Sequence, residues 1–168
     1  MKNLFVGLIA TFVVVGAMAE NTNWEISKVT DRNNATVGYI YHTGAIGTQI
    51  NARPEKVATS LRLVCSTLQK NSEPLVVIFW NTLNGNIPQT VEMHTDKRVT
   101  ETLQWDQEGQ VLMRSAAESK KLIQAMKTGN NISFLWTGTD SIRRNTNFNL
   151  RDFKTHLNEF NTLCKTEL

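Results

Sequence analysis

The chain has 168 residues, 40% hydrophobic and 20% charged, a globular composition long enough to bury a core without metal or several disulfides. Its formal net charge of +3 is too small for a nucleic-acid binder, which needs a clustered basic face.

Met1–Ala19 reads as a secretory signal peptide. Lys2 gives a short positive start, Leu4–Val15 is an apolar run broken only by Gly7 and Thr11, and Gly16-Ala17-Met18-Ala19 ends in the small-x-small pattern of a cleavage site. About a dozen apolar residues fall short of the roughly 20 that span a bilayer, so release is expected and stable membrane insertion is not. Cleavage after Ala19 removes nineteen of 168 residues and leaves 149, a single globular domain over 20–168. The loss of Lys2 lowers the net charge from +3 to +2. The expected location is periplasmic or secreted.

Trp24–Val29 and Ala35–His42 read as two strands of a hairpin around Thr30-Asp31-Arg32-Asn33-Asn34, which has good turn chemistry. Gly44–Pro54 looks like a loop or irregular edge. Leu61, Leu63 and Cys65 alternate with Arg62 and Val64, which predicts a strand with its cysteine facing inward. Leu75–Trp80 is a continuous apolar run and predicts a central strand buried on both faces. Gln89–Thr95 and Val99–Trp105 alternate around Asp96-Lys97-Arg98, and Val111–Arg114 follows a further turn. Ser115 and Glu118 then have capping-box spacing before a helix over Ala116–Thr128, ended by Gly129.

Ile132–Trp136 predicts another strand. Thr137–Asn147 shows no apolar period and reads as the longest polar loop. Asn149 is a candidate cap for the last helix, Phe148 and Phe153 have the spacing of a hydrophobic staple, and Phe153, Leu157, Phe160 and Cys164 share one helical face. The predicted fold is all-β leaning to α+β: an antiparallel β-sandwich with one mid-chain helix and a C-terminal helix. In an oxidising compartment the two cysteines, Cys65 and Cys164, are expected to pair, the alternative being free thiols.

A cysteine ending the strand Leu61-Arg62-Leu63-Val64-Cys65, an apolar strand with Trp80, a capped helix running into Gly-Asn-Asn-Ile-Ser-Phe, and Phe148-Asn149-Leu150-x-x-Phe153 leading a helix to Cys164 together form a familiar order. Over about Ala58 to Cys164 the chain resembles the invasion-associated locus B family of exported bacterial proteins, and is similar to the type VI secretion-associated periplasmic proteins of the same plan. Asp152 stands where that family usually has a small residue. The resemblance implies a periplasmic β-sandwich with a C-terminal helix and a disulfide; it carries over no catalytic residue.

The candidate chemistry is sparse. His42, His94 and His156 lack the short spacings of a metal site, and no cofactor or metal is expected. Ser141 after Asp140 is not a Gly-x-Ser-x-Gly elbow, and Ser115 is better explained as a cap. Glu92, Asp96 and Glu101 would meet across a hairpin in a wall-cleaving glycosidase, which works with two carboxylates. Their alternating context reads as a solvated face instead. Trp105 and Trp136 end strands beside turns, where a half-exposed ring anchors partners.

Trp136–Asn147 is therefore the candidate partner-binding segment. Trp136 supplies the anchor, Gly138 allows close backbone approach, Thr139, Asp140 and Ser141 offer polar groups, and Arg143 and Arg144 suit a carboxylate or phosphate. The expected function is a non-enzymatic, exported binding protein that engages a protein partner in the cell envelope, as an accessory factor or as an immunity-type inhibitor of a wall-degrading enzyme. A cell-wall or glycan hydrolase is the alternative. Self-association through an open sheet edge is a third reading.

Overall fold

The computed structural model describes residues 23–50, 53–54, 59–68, 74–80, 90–96, 100–104, 106–108, 111–113, 116–137 and 141–166. The segment 1–19 that is expected to be a signal peptide, Trp105, Ser115 and residues 138–140 lie outside them.

Among the described residues twelve strands build two antiparallel sheets. The first runs β1-β2-β5-β6-β10-β9, with β1 at Glu25–Thr30, β2 at Thr36–Gly44, β5 at Thr59–Ser66, β6 at Leu75–Trp80, β9 at Asp106–Glu108 and β10 at Val111–Met113. The second runs β4-β3-β12-β11-β7-β8, with β3 at Gly47–Ile50, β4 at Arg53–Pro54, β7 at Thr90–Thr95, β8 at Thr100–Gln104, β11 at Asn131–Thr137 and β12 at Arg143–Asn149. Among the described residues two helices complete the fold, α1 at Ala116–Met126 and α2 at Phe153–Cys164. The predicted antiparallel sandwich with a mid-chain and a C-terminal helix is the observed architecture.

Both sides of the sandwich are tied by chain that passes between sheets. β2 leads into β3 through Ala45, whose N–H donates to Thr59 O (3.0 Å), and Ile46, whose N–H donates to Asn147 O (2.8 Å). β8 and β9 are separated by a single residue yet belong to different sheets. Strands that switch sheets in this way make the corners of a sandwich.

Alternation fills the interior. Tyr41, Leu61, Leu63, Val76 and Ile78 point inward from the first sheet; Val91, Met93, Ile132, Phe134 and Phe148 do so from the second. α1 adds Leu122, Ile123 and Met126, and α2 adds Phe153, Leu157 and Phe160, all in one continuous hydrophobic cluster. Ser119 of α1, fully buried, accepts the Val76 N–H at 2.9 Å. β10 pairs with β6 only from Val77 to Phe79, so this helix hydroxyl takes up a strand donor just beyond the ladder.

Cys65 and Cys164 form a disulfide, with Cα atoms 6.0 Å apart, and no cysteine is free. The bond fixes the end of α2 to β5, and a disulfide belongs to an oxidising compartment. An aromatic group at the other end of α2 completes the attachment. Trp24 lies 4.7 Å from Tyr41 and 4.8 Å from Phe153 between ring centroids, its Nε1–H donates to Asn149 O (2.8 Å), and Tyr41 Oη–H donates to Phe153 O.

Three local expectations are corrected. Gly44–Pro54 is no irregular loop but largely β3 and β4; a four-residue and a two-residue strand are too short to show alternation. The Asn149 side chain does not cap α2: its Oδ1 accepts Arg151 N–H (2.9 Å) in a turn, and Asp152 holds the N-cap position without a side-chain bond. Phe148 and Phe153 do not close a staple either. Phe148 packs edge-on to Phe134, while Phe153 stacks on Tyr41, because strand β12 ends between the two rings.

Among the described residues no helix is long and apolar enough to cross a membrane.

Candidate functional site

The β11–β12 hairpin organises the second sheet. Along Asn131–Thr137 the residues Ile132, Phe134 and Trp136 are buried, so Ser133 and Leu135 face outward. Along Arg143–Asn149 the residues Thr146 and Phe148 are buried, so Arg143, Asn145 and Asn147 face outward. The polar loop expected over Thr137–Asn147 is thus a strand from Arg143 onward. Its outward positions carry Arg and Asn and its inward ones begin with Arg144 and Thr146, which hides the alternation that hydrophobicity would reveal.

Trp136 is 3% exposed, inside the core and not at the surface as a half-exposed anchor. Gly138, Thr139 and Asp140 lie outside the described residues. Ser141 is exposed, with φ of 60°, a left-handed conformation suited to a tight turn. Arg143 is exposed at the first position of β12, paired with Thr137. Arg144 is half-buried opposite Trp136, and its Nη1–H donates to Ile142 O at 3.1 Å. The structure brings Ser141 and Arg143 to the surface at one end of the sheet and withdraws Trp136.

Two outward rows cross this sheet. One runs from Gly47 through Asn147 and Ser133 to His94; the next runs from Gln49 through Asn145 and Leu135 to Glu92 and Thr102. Ser133 Oγ–H donates to Asn147 Oδ1 at 2.5 Å, and His94 Nε2 lies 3.5 Å from Glu92 Oε2. The register places Glu92 opposite Thr102 and Glu101 opposite Met93, so these carboxylates point to opposite faces and do not meet across the hairpin. Asp96 serves the turn before β11. It accepts Asn130 N–H (3.0 Å) and Asn130 Nδ2–H (2.7 Å). Desolvation pushes its carboxyl upward, but these bonds outweigh it and hold the group below the usual carboxylate range.

The first sheet carries a different constellation on its outward face, one that only the register reveals. His42 lies between Glu25 of β1 and Arg62 of β5. Its Nε2 is 3.0 Å from Ser27 Oγ, and Arg62 Nε–H donates to Ser60 Oγ at 2.7 Å. Burial lowers the His42 pKa from its ordinary value; the Arg62 charge lowers it further and Glu25 opposes both. Burial alone pushes Arg62 down to about 10. Alongside, Val64 and Val77 are buried against Ile40 and Leu75 in a small cluster separate from the core.

Among the described residues no three His, Cys, Asp or Glu side chains are grouped to hold a metal. His156 has Glu159 Oε2 at 3.7 Å, one turn along α2.

No protein-family model, curated protein or solved structure matches the chain.

Proposed function

We propose that the chain is an exported, non-enzymatic binding protein of the bacterial periplasm, processed after Ala19, that acts by docking on a protein partner in the cell envelope. Its role is that of an accessory factor or an immunity-type inhibitor of a wall-degrading enzyme. The observation that carries this reading is the β11–β12 hairpin. Both strands are internal to the second sheet, so the turn that presents Ser141 and Arg143 stands on a rigid base. Binding residues on a short connection held by a packed scaffold lose little conformational freedom on association. Arginine at such a rim suits a carboxylate on the partner. The disulfide accords with export, as does the likeness to the invasion-associated locus B proteins.

The test is affinity capture from envelope extract with the tagged chain and with its Arg143→Ala/Arg144→Ala variant. A protein held by the wild type and released at least fivefold more readily by the variant supports the docking role. A partner held equally by both removes the hairpin from the interface. Clearing of peptidoglycan in a zymogram, lost in Glu92→Gln or Glu101→Gln, would replace the binding role with hydrolysis.

A further inference from the structure

We propose that Ser27 is a nucleophile, activated by His42, that takes an acyl group from an activated ester. This inference concerns the outward face of the first sheet and does not rest on the protein-docking role of the hairpin.

The register assembles the parts. His42 in β2 stands opposite Glu25 in β1 and Arg62 in β5. Ser27 is two residues along β1 from Glu25 and shares that face. Its Oγ lies 3.0 Å from His42 Nε2, within reach for proton transfer. A hydroxyl bonded to a base, with a third group beside the base, is the arrangement that activates serine. Ser27 and His42 are 15 residues apart on different strands, so no short motif announces them.

Access and charge fit the roles. β1 is an edge strand, and Ser27 is half-buried on it, so its Oγ is reached without parting the ladder. His42 behind it is 7% exposed. Burial and the Arg62 charge hold the imidazole neutral, the form that accepts a proton, and Glu25 favours the imidazolium that forms when it does. Arg62 itself is anchored on Ser60, one strand beyond His42, by the 2.7 Å bond from its Nε–H.

The step runs on these groups alone. As Ser27 Oγ bonds to the ester carbonyl carbon, its proton passes to His42 Nε2. The ester C–O bond breaks, and the proton passes from Nε2 to the departing oxygen, leaving an acyl-serine and an alcohol. Base catalysis of this kind lowers the barrier about 10²–10⁴-fold, which selects acyl donors whose oxygen departs readily, such as aryl esters. Hydrolysis would require water to reach the same nitrogen. With so little of His42 exposed that approach is restricted, so each chain reacts once and the docking role stays non-enzymatic.

The test is acetylation of the purified chain by p-nitrophenyl acetate, followed by nitrophenolate release and peptide mass spectrometry. The wild type should release about one nitrophenolate per chain in a burst and carry the acetyl group on Ser27. Ser27→Ala should abolish the burst, and His42→Gln should slow it about 100-fold. Glu25 is a positioning residue. Glu25→Gln should slow acetylation about 2- to 5-fold, the worth of a part-exposed charge. It should also lower the midpoint of the pH profile, which lies below 6.5 in the wild type. Ser60→Ala, on the same face but bonded to Arg62, should react like wild type. Acetyl groups on lysines and none on Ser27 overturn the proposal. A His42→Gln rate equal to wild type also overturns it, because a bond that only joins two strands leaves Ser27 no more reactive than any other hydroxyl. Should His42→Gln fail to fold, a wild-type rate that is flat from about pH 5 to 8 decides the matter the same way.

Discussion

Trp24 is the residue whose removal should most change the fold. It precedes the first strand by one position, is 3% exposed, touches Tyr41 and Phe153, and donates its indole N–H to Asn149 O at 2.8 Å. The indole therefore links β1 and β2 to the end of β12 and the start of α2. Burying a tryptophan removes about 150–250 Å² from water, and at about 25 cal/mol per Å² that is roughly 4–6 kcal/mol. Partial relaxation of the site gives an expected loss of about 3–5 kcal/mol for Trp24→Ala. Trp24→Phe keeps most of the ring contact and gives up the hydrogen bond, so it should lose about 1–2 kcal/mol. In a domain of this length each kcal/mol moves the melting temperature by roughly 2–4 °C. Urea unfolding followed by far-UV circular dichroism, which does not depend on the altered chromophore, measures both variants. A Trp24→Ala loss below about 1 kcal/mol, or equal losses for both variants, would show that β1 is not clamped through the indole and would refute the reasoning.

Three further outcomes follow from the same packing. The Cys65–Cys164 bond closes a loop of 99 residues, which in the chain-entropy model stabilises the fold by about 4.7 kcal/mol. Cys65→Ala/Cys164→Ala should lose about 3–5 kcal/mol in urea, and a loss under 1 kcal/mol would dismiss the cross-link as structural. His42 resists a proton in the folded chain that the unfolded chain accepts below about 6.5, so its stabilisation is complete above that pH and is lost as pH falls toward its lowered folded value. His42→Gln should flatten the pH-dependence of unfolding free energy just below 6.5; an unchanged slope removes His42 as the cause. Gly38→Ala should destabilise by about 1–3 kcal/mol or prevent folding, because its Cβ would stand 2.4 Å from the Cys65 carbonyl oxygen. A thermal midpoint equal to wild type would contradict that close approach.

Most of the architecture was legible because hydrophobic period reports which face is buried. Leu61–Cys65 and Leu75–Trp80 declare themselves as β5 and β6, and Phe153, Leu157, Phe160 and Cys164 trace the buried stripe of α2. The failures came where inward positions are polar or strands are very short. β12 begins Arg-Arg-Asn-Thr, and its buried Thr146 gives no hydrophobic signal against its outward neighbours. The candidate site was less legible for a different reason. Glu92 and Glu101 are close in sequence, but one residue of register sends them to opposite faces, and register depends on partners that no single strand records. The Glu25–His42–Arg62 row spans β1, β2 and β5 and has no local spacing at all. Trp136 shows the limit of residue type: a tryptophan beside a turn reads as an anchor, and its parity with Ile132 and Phe134 is what places it inside.

The two outward faces of the sandwich answer differently to water. On the first sheet Val64 is 5% and Val77 is 2% exposed, and the ionisable His42 and Arg62 beside them are withdrawn enough to shift their titration. That face is largely withdrawn from water. On the second sheet Glu92, Gln49 and Thr102 are exposed, no described residue lies within 4 Å of a Cβ built at Gly47, and Leu135, the apolar residue in the two rows, is half-buried among amides and hydroxyls. The corner through Ala45 and Ile46 ties the start of β3 to both β5 and β12 by backbone bonds. A surface fixed by backbone bonds to its neighbours needs little conformational change to meet a ligand, which lowers the ordering cost of association.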